Sequence, residues 1–369
     1  SAVDSVTQAV LGGVVGELLL GRKIGGKGMV WGLFFGTLPD LDILFYPWLD
    51  QAEELRWHRG ISHSILVMVV AAFFFAKPLA WLHRKKELSA SRAGWFVFLA
   101  WSTHVLIDVF TSYGTQVFEP FSDQRVAWSN LFIIDLFFTL PLLFWVVYRC
   151  GKSAQRFGKA VIRHTKKTTQ GEQSEFEGIS MRGATVAISL SCLYVTFSLI
   201  MKIWAVDQIK GRMVEAIPNG DLVSVSPTPF NTILWRGLIE TDDGYFVTHW
   251  SPFDKETSGY HFFAKQHQLC EAFKEEEMFK GLKWFSRGHW VARETLDHEV
   301  EFIDIRFGEV RDYEAGKLLA MFRWNLSYDD QGKFLVIRAP RHAKMGGSLS
   351  ALWKRLWGNQ KEWEEIEPF

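Results

Sequence analysis

Residues 64–82, SILVMVVAAFFFAKPLAWL, decide the fold class, because a stretch this long and this apolar is typical of a helix that crosses a lipid bilayer. A shorter apolar stretch, Gln8–Leu20, extends with Val3–Thr7 to the length of a short span. Further stretches approach the roughly 20 residues that cross the hydrocarbon: Met29–Trp48, Ala93–Phe110, Leu131–Tyr148 and Ala184–Val206. The sequence therefore predicts an α-helical polytopic membrane bundle of about six segments.

Small residues recur at a helical spacing in the first two segments. Gly12 and Gly16 stand four residues apart, and so do Gly32 and Gly36. Because pairs of glycines at this spacing let two membrane helices approach closely, we expect the first two segments to pack backbone to backbone.

The basic residues of the short connections predict the orientation, since excess Lys and Arg remain on the cytoplasmic side. The connections 49–63 and 111–130 contain few of them, so we expect these connections outside, together with the N-terminus and everything after about residue 207. Basic residues concentrate in the alternating connections: Arg22, Lys23, Lys27, Arg84, Lys85, Lys86, Arg92, Arg149, Lys152, Arg156, Lys159, Arg163, Lys166 and Lys167. The predicted location is the cytoplasmic (inner) membrane of a bacterium.

The sequence pattern changes after about residue 207, from long apolar stretches to short alternating ones. Alternating runs such as Glu299–Phe307 and Lys333–Arg338 indicate short strands separated by turns. We therefore expect a helical membrane domain over 1–206, with a cytoplasmic loop at about 150–182, and an extracytoplasmic β-rich (α+β) soluble domain over 207–369.

Two helical insertions are expected in the β-rich domain, at Gln268–Lys280 and Ser348–Trp357. The second has Trp353 and Trp357 one turn apart beside two basic residues, a pattern found in helices that lie at a membrane interface. An ordinary core helix fits the same pattern equally well.

Composition excludes some classes of protein. Lys plus Arg and Asp plus Glu both number 41, so the net charge is zero and a nucleic-acid partner is not expected. Three cysteines lie far apart, which excludes a disulfide framework and a Cys-based zinc finger.

Ionisable and amide side chains gather at the predicted outer ends of the segments. Such groups cost a few kcal/mol each within a membrane, so their convergence on one face favours a functional site. His104 and Asp108 are spaced i,i+4 and share one helix face. Oxygen and nitrogen ligands without thiolates suit zinc, manganese or iron, in clusters that activate water for hydrolysis. The remaining candidates are Asp4, Gln8, Asp40, Asp42, His58, His63 and Asp135.

Each motif by itself has a simpler interpretation. His104 and Asp108 fit a hydrogen bond on a helix surface, and Asp40 and Asp42 after Pro39 fit a cap or turn. Two further histidines, at 58 and 63, fit interfacial residues or a pH sensor. A lone intramembrane acid such as residue 135 fits a group that orients a neighbouring histidine.

The ordered set of motifs resembles a known family over about residues 1–150. Asp40 and Asp42 in LPDLD, the block HRGISHS at 58–64, and His104-x-x-x-Asp108 followed by TSYG are similar to YdjM-like (LexA-regulated) membrane-bound metal-dependent hydrolases. That family is distantly similar to zinc-dependent phospholipase C and the fungal single-strand nucleases, whose helical cores hold a cluster of zinc ions. The resemblance implies two or three zinc ions and metal ligands at Asp40, Asp42, His58, His63, His104 and Asp108.

Gln8 departs from the family pattern, in which His is usual at this place. An amide oxygen is a weaker ligand than imidazole, so we expect one metal position to be lost, labile or completed by Asp4.

The predicted reaction is hydrolysis of a phosphoester or ester bond in a lipid or lipid-linked substrate by metal-activated water. Asp40 or Asp42 would accept the proton of that water. Arg59 and Arg125 are candidates for holding an anionic substrate group, and a lipid-headgroup contact or a plain salt bridge explains each arginine as well.

Two other functions stay open. A divalent-metal transporter would place polar groups near the bilayer midplane and show two matching halves, neither of which this sequence suggests. A non-enzymatic membrane anchor would use a structural metal and present the β-rich domain to a partner.

Overall fold

The computed structural model describes residues 2–162, 170–295, 299–312, 317–339 and 345–360. The chain forms two compact units. The first contains Ser1–Tyr46, Trp57–Trp128 and Ile133–Phe197, and the second contains Pro47–Arg56, Ser129–Phe132 and Ser198–Phe369.

Helices make up the N-terminal half of the described chain. A 3-10 helix, Leu38–Trp48, directly continues the second α-helix, and a short one, Ile61–His63, precedes the fourth. The α-helices run in chain order as α1 (Ala2–Ile24), α2 (Lys27–Thr37), α3 (Gln51–Trp57), α4 (Ile65–Leu82), α5 (Ala90–Phe110), α6 (Leu136–Ile162), α7 (Gln170–Ala216), α8 (Glu277–Phe285) and α9 (Met345–Leu356).

The membrane character is confirmed in part. Within the described residues, four stretches are long and apolar enough to cross a bilayer: Lys27–Trp48, Ile65–Leu82, Ala90–Phe110 and Ser180–Ala216. The expected count of about six spans is not confirmed, because α1 and α6 form helices that do not meet this standard. In α6, the basic residues that follow Tyr148 shorten the apolar stretch.

The predicted contact between the first two segments is confirmed. A methyl group added at Gly12 would lie 2.3 Å from the carbonyl oxygen of Gly32, and one at Gly16 would lie 2.1 Å from that of Gly28. No side chain fits at such distances, so the backbones of α1 and α2 touch.

The expected loop at about 150–182 is shorter than predicted. Helix α6 continues to Ile162 and α7 begins at Gln170, because this polar stretch contains strong helix formers. Residues 163–169, within this predicted loop, lie outside the described part of the chain.

The C-terminal β-rich domain is confirmed, as two four-stranded antiparallel sheets in which neighbouring strands follow each other along the chain. Leu238 and Tyr245 of the first sheet pack against Val291 and Ile303 of the second in one buried core. The strands are β1 (Asp221–Pro227), β2 (Trp235–Glu240), β3 (Gly244–Trp250), β4 (His261–Ala264), β5 (Trp290–Glu294), β6 (Val300–Asp312), β7 (Lys317–Tyr328) and β8 (Phe334–Arg338).

The end of α7 is part of this domain. Ala205 and Ile209 share a buried core with Val225, Trp235 and Trp250 of the first sheet. The sheet is therefore built directly on the helix that precedes it, with no flexible linker between them.

Segment 47–56 belongs to the same unit, although it follows a predicted membrane segment. A methyl group added at Gly281 of α8 would lie 3.2 Å from Cβ of Ala52, and the guanidinium of Arg56 lies 5.9 Å from the ring of Trp284. Segment 47–56 is thus held against helix α8 within this unit.

Candidate metal centre

Helix α5 supplies two residues of the site. His104 and Asp108 are one turn apart on the buried face of this helix, in line with Ala93, Val97 and Ala100. Small and apolar residues surround this line, so neighbouring helices pack closely against α5 and exclude water from both polar side chains. Their side chains are 0% exposed.

Two short 3-10 helices bring in the other two residues. Asp40 lies in the first turn of Leu38–Trp48, and its side chain is 17% exposed, the largest value in the group. His63 ends the helix Ile61–His63 just before Ser64, whose hydroxyl accepts a hydrogen bond from the backbone of Val67 and caps α4. Helix ends therefore orient both groups toward α5.

The four side chains converge on one point. Their nearest ligand atoms, from Asp40, His63, His104 and Asp108, all lie within 4.8 Å of one another. Nε2 of His63 lies 3.1 Å from Nε2 of His104 and 3.1 Å from Oδ2 of Asp108. Oδ1 of Asp40 lies 3.5 Å and 3.4 Å from the same two ring nitrogens.

Hydrogen bonds behind the rings orient these nitrogens. Nδ1 of His104 lies 2.7 Å from the carbonyl oxygen of Gly36, which can only accept, so Nδ1 is the protonated nitrogen. In neutral His104 a lone pair on Nε2 then faces two carboxylates and the ring of His63. Nδ1 of His63 lies 2.9 Å from the hydroxyl of Ser62.

The donor set fits a divalent metal ion. Imidazole nitrogens and carboxylate oxygens converge in a buried space, and Oδ2 of Asp108 has no hydrogen-bond partner among the described residues. A divalent cation bound here would supply positive charge to these ligand atoms. Mixed nitrogen and oxygen ligands without sulfur suit zinc, manganese or iron.

Arg59 contacts the cluster on the side of Asp108. Its guanidinium contacts Oδ1 of Asp108 at 2.9 Å and donates to the hydroxyl of Thr111 at 3.0 Å. Its backbone amide donates to Oδ2 of Asp42 at 3.1 Å. The backbone of Arg59 has φ of 57°, a left-handed conformation that is costly for a residue with a side chain and recurs at functional sites.

Asp42 and His58 form a second pair. Oδ2 of Asp42 lies 3.5 Å from Nδ1 of His58, whose side chain is partly exposed. Oδ1 of Asp42 is buried without a hydrogen-bond partner among the described residues. Because Arg59 contacts both Asp42 and Asp108, the pair is tied to the four-residue cluster, and its role as metal ligand stays a prediction.

Gln8 lies next to the cluster. Its amide nitrogen donates to Oδ1 of Asp108 at 2.8 Å, while its amide oxygen has no hydrogen-bond partner in the described chain. In this geometry Gln8 orients the carboxylate of Asp108, and its own role as a metal ligand stays a prediction. Asp4 lies in α1, but its side chain is outside the described part of the structure.

Asp135 has a different environment. It precedes α6, where Oδ1 accepts from the backbone amides of Phe137 and Phe138 at 3.1 Å and 3.2 Å. The hydroxyl of Tyr194 donates to Oδ2 at 2.9 Å. These contacts make Asp135 a helix cap.

Arg125 and Arg59 share an aromatic neighbour. Their guanidinium carbons lie 4.7 Å and 5.0 Å from the ring centre of Tyr113, and the ring of His58 contacts the same tyrosine edge to face. Two cations beside one ring create a positive region next to the candidate metal site.

Several supporting residues were not identified from sequence. Thr111 and Tyr113 lie in the TSYG motif after Asp108, so the motif signalled them without their roles. The carbonyl of Gly36 gives no such signal, because any residue supplies a backbone carbonyl.

A buried ion pair elsewhere in the helical unit was also missed. Nε of Arg149 lies 3.2 Å from Oε1 of Glu17, which also accepts from Ser180 at 2.5 Å. The sequence could have indicated this pair, because Glu17 is an acidic residue within an apolar segment, and such a group is costly in a membrane unless it is paired.

Comparison with known proteins places the chain in a family. A search of solved structures finds no match. The chain is 29% identical over 332 residues to YfhP of Bacillus subtilis (strain 168), an uncharacterized protein, in an alignment that covers 83% of this chain and 87% of the relative. Residues 3–205 match the profile of the YdjM inner membrane protein, so the predicted family is confirmed, while the distant similarity to phospholipase C and the fungal nucleases stays a prediction. The chain therefore belongs to the YdjM inner membrane protein family.

Proposed function

We propose that the protein is a membrane-embedded metal-dependent hydrolase that cleaves a phosphoester bond of a lipid or lipid-linked substrate. The observation that carries this proposal is the convergence of Asp40, His63, His104 and Asp108, with ligand atoms within 4.8 Å of one another in a buried space. A site that serves only stability has no reason to bury facing lone pairs, since apolar packing would achieve the same at lower cost.

Zinc is the proposed cofactor, held by these four residues, with Asp42 and His58 as ligands of a neighbouring ion. When bound, the metal supplies Lewis-acid chemistry, which polarises a phosphoryl oxygen and lowers the pKa of water toward neutrality. Arg59 and Gln8 keep Asp108 in position through contacts of 2.9 Å and 2.8 Å to Oδ1, so Oδ2 would be the oxygen available to hold a metal ion.

Asp42 is the proposed general base. Its Oδ1 is buried and has no hydrogen-bond partner among the described residues, so it can accept the proton of the attacking water. Asp40 is more exposed than the other three members of the cluster and marks the side from which substrate enters.

The proposed contact for the substrate phosphate is Arg125, beside Tyr113. A guanidinium meets phosphate oxygens in a bidentate manner. Arg59 is already bound to Asp108 and Thr111, so we assign it to holding the metal ligand. A site that opens at the outer membrane surface suits a lipid, which enters sideways without leaving the bilayer.

The test is a comparison of four purified full-length proteins in lipid nanodiscs. Bound metal is measured by elemental analysis, and cleavage of a phospholipid mixture is measured by mass spectrometry. We expect wild type to contain zinc and release product, and His104→Ala to lose both. Asp42→Asn should lose activity by about 100-fold or more because it removes the proton acceptor.

His83→Ala is the matched control, because His83 is a buried histidine of the same unit whose Nε2 accepts from Trp31 at 2.8 Å, away from the cluster. It should keep metal and activity. Wild type without metal would remove the basis of the proposal. Metal without any product would reject the hydrolase, and metal flux into liposomes would then identify a transporter.

A further inference from the structure

Helix α9 is fixed to the C-terminal domain by one face. Ala351, Arg355 and Leu356 are buried there. The guanidinium of Arg355 forms hydrogen bonds to both carboxylate oxygens of Asp254 and to the hydroxyl of Ser258. Because this ion pair is bidentate and buried, α9 is held in one orientation on the sheet.

The opposite face of α9 is apolar and exposed. Leu349, Trp353 and Trp357 stand four residues apart, so they share one side of the helix, and they are 48%, 63% and 51% exposed. The rings of the two tryptophans lie 5.7 Å apart, and Phe253, which is 44% exposed, lies 4.8 Å from Trp357. We call these four residues the aromatic stripe.

We propose that the aromatic stripe binds the lipid bilayer surface and holds the C-terminal domain against it. Tryptophan is enriched at the boundary between hydrocarbon and headgroups, where its apolar ring and its N–H group are both satisfied. Exposed Lys354 lies between the two tryptophans along the helix and adds a charge that favours anionic headgroups.

The attachment of the domain favours a membrane over a protein partner. The apolar stretch Ser180–Ala216 has 37 residues, which at 1.5 Å per residue give about 55 Å, well beyond the roughly 30 Å of the hydrocarbon core. The end of this helix packs directly against the sheet through Ala205 and Ile209. The domain is therefore tethered directly to a helix long enough to cross the bilayer, which keeps the effective concentration of lipid near it high.

The test measures whether lipid contacts the stripe in the full-length protein. Leu349→Cys is made in a Cys150→Ser/Cys192→Ser background, since these two native cysteines are exposed. Cys270 stays in place because it is buried and burial raises the pKa of its thiol to about 12, which suppresses labelling. Asp330→Cys, on an exposed turn of the same domain, is the matched control.

Both variants are labelled with the fluorophore NBD and placed in nanodiscs of phosphatidylcholine and phosphatidylglycerol, with EDTA present to prevent turnover of lipid. We expect lipids with a nitroxide near the headgroup to reduce the fluorescence at position 349 by about half, and that at position 330 by much less. Adding Trp353→Ser and Trp357→Ser should remove most of the quenching at 349.

Equal quenching at the two positions would overturn the proposal. A label at 349 that is shielded from water without lipid quenching would also overturn it, since this outcome assigns the stripe to a second copy of the chain or to another protein. The readout depends on neither metal nor hydrolysis, so it stands or fails independently of the proposed function.

Discussion

The candidate metal cluster of the helical unit and the buried ion pairs of the C-terminal domain differ in how their charges are compensated. In the C-terminal domain, the guanidinium of Arg306 meets both carboxylate oxygens of Asp304, at 2.6 Å and 3.0 Å, and Arg236 meets Glu309 in the same manner. In the helical unit, Nε2 of His63 and Nε2 of His104 lie 3.1 Å apart beside two carboxylates.

The difference distinguishes buried ion pairs that stabilise the fold from a buried cluster that is a candidate functional site. A bidentate ion pair compensates its own charges, so it stabilises one arrangement and needs no ligand. In the cluster of the helical unit, Arg59 compensates Asp108 from one side, and the imidazoles of His63 and His104 lie against the two carboxylates. A metal ion bound between these groups would compensate the carboxylates further, and the proposed function depends on this step.

The largest expected effect is the loss of a complete ion pair in the C-terminal domain. Arg355→Ala leaves the carboxylate of Asp254 buried without its partner, which should reduce the free energy of unfolding of this domain by about 3–5 kcal/mol. Denaturant titration monitored by limited proteolysis measures this change. Lys354→Ala, at an exposed neighbouring position, should change it by less than about 0.5 kcal/mol. A small effect of Arg355→Ala would show that the buried ion pair does not stabilise the C-terminal domain, which contradicts this half of the comparison.

Added zinc should stabilise the helical unit and leave the C-terminal domain unchanged. At a free metal concentration 100 times the Kd, the expected gain is about 2.7 kcal/mol. Thermal unfolding in detergent, with and without chelator, measures it for wild type and for Asp108→Asn, which should lose the response. If the C-terminal domain gained as much as the helical unit, the contrast between the two would fail.

Gln8→Leu sharpens the distinction between a ligand and a residue that orients one. The substitution removes the hydrogen bond of 2.8 Å to Asp108, and we expect a loss of metal affinity of about 10–100-fold, which equals about 1.4–2.8 kcal/mol. Competition with a fluorescent zinc chelator measures the affinity. Complete loss of binding would instead identify Gln8 as a metal ligand.

The smallest effect is expected at Asp135. Asp135→Ala removes the cap of α6 and should cost about 1 kcal/mol of stability, with no change in metal affinity. The same two measurements apply. A loss of metal affinity comparable to that of Gln8→Leu would show that Asp135 acts on the site.

Much of the fold could be predicted because it depends on local patterns. Long apolar stretches, the paired glycines of α1 and α2 and the alternating strands each carry their signal within one segment. The number of membrane segments is harder to predict, because α1 and α6 are helical and yet are not among the four stretches that can cross a bilayer in the described chain. The length of the connection near residues 150–182 was overestimated for a similar reason, because polar sequence need not be loop.

The candidate site was predictable in its members but not in their roles. Asp108 and Asp135 look alike in sequence, as acids at predicted outer ends of apolar segments. Asp108 faces two imidazoles because α5 is packed on many sides, whereas Asp135 turns back to the amides that begin α6. The neighbouring residues in the sequence do not determine either side-chain orientation, because each depends on which helix packs opposite.

The sequence alone determined that this chain belongs with membrane proteins and that histidine and aspartate cluster along it without cysteine, since both properties follow from residue types and spacing. Tertiary structure decided which four of those side chains meet, which nitrogen of His104 faces them and which residue holds Asp108 in place. The physical reason is that ligand geometry depends on distances of a few ångströms between separate helices, and only their packing sets those distances.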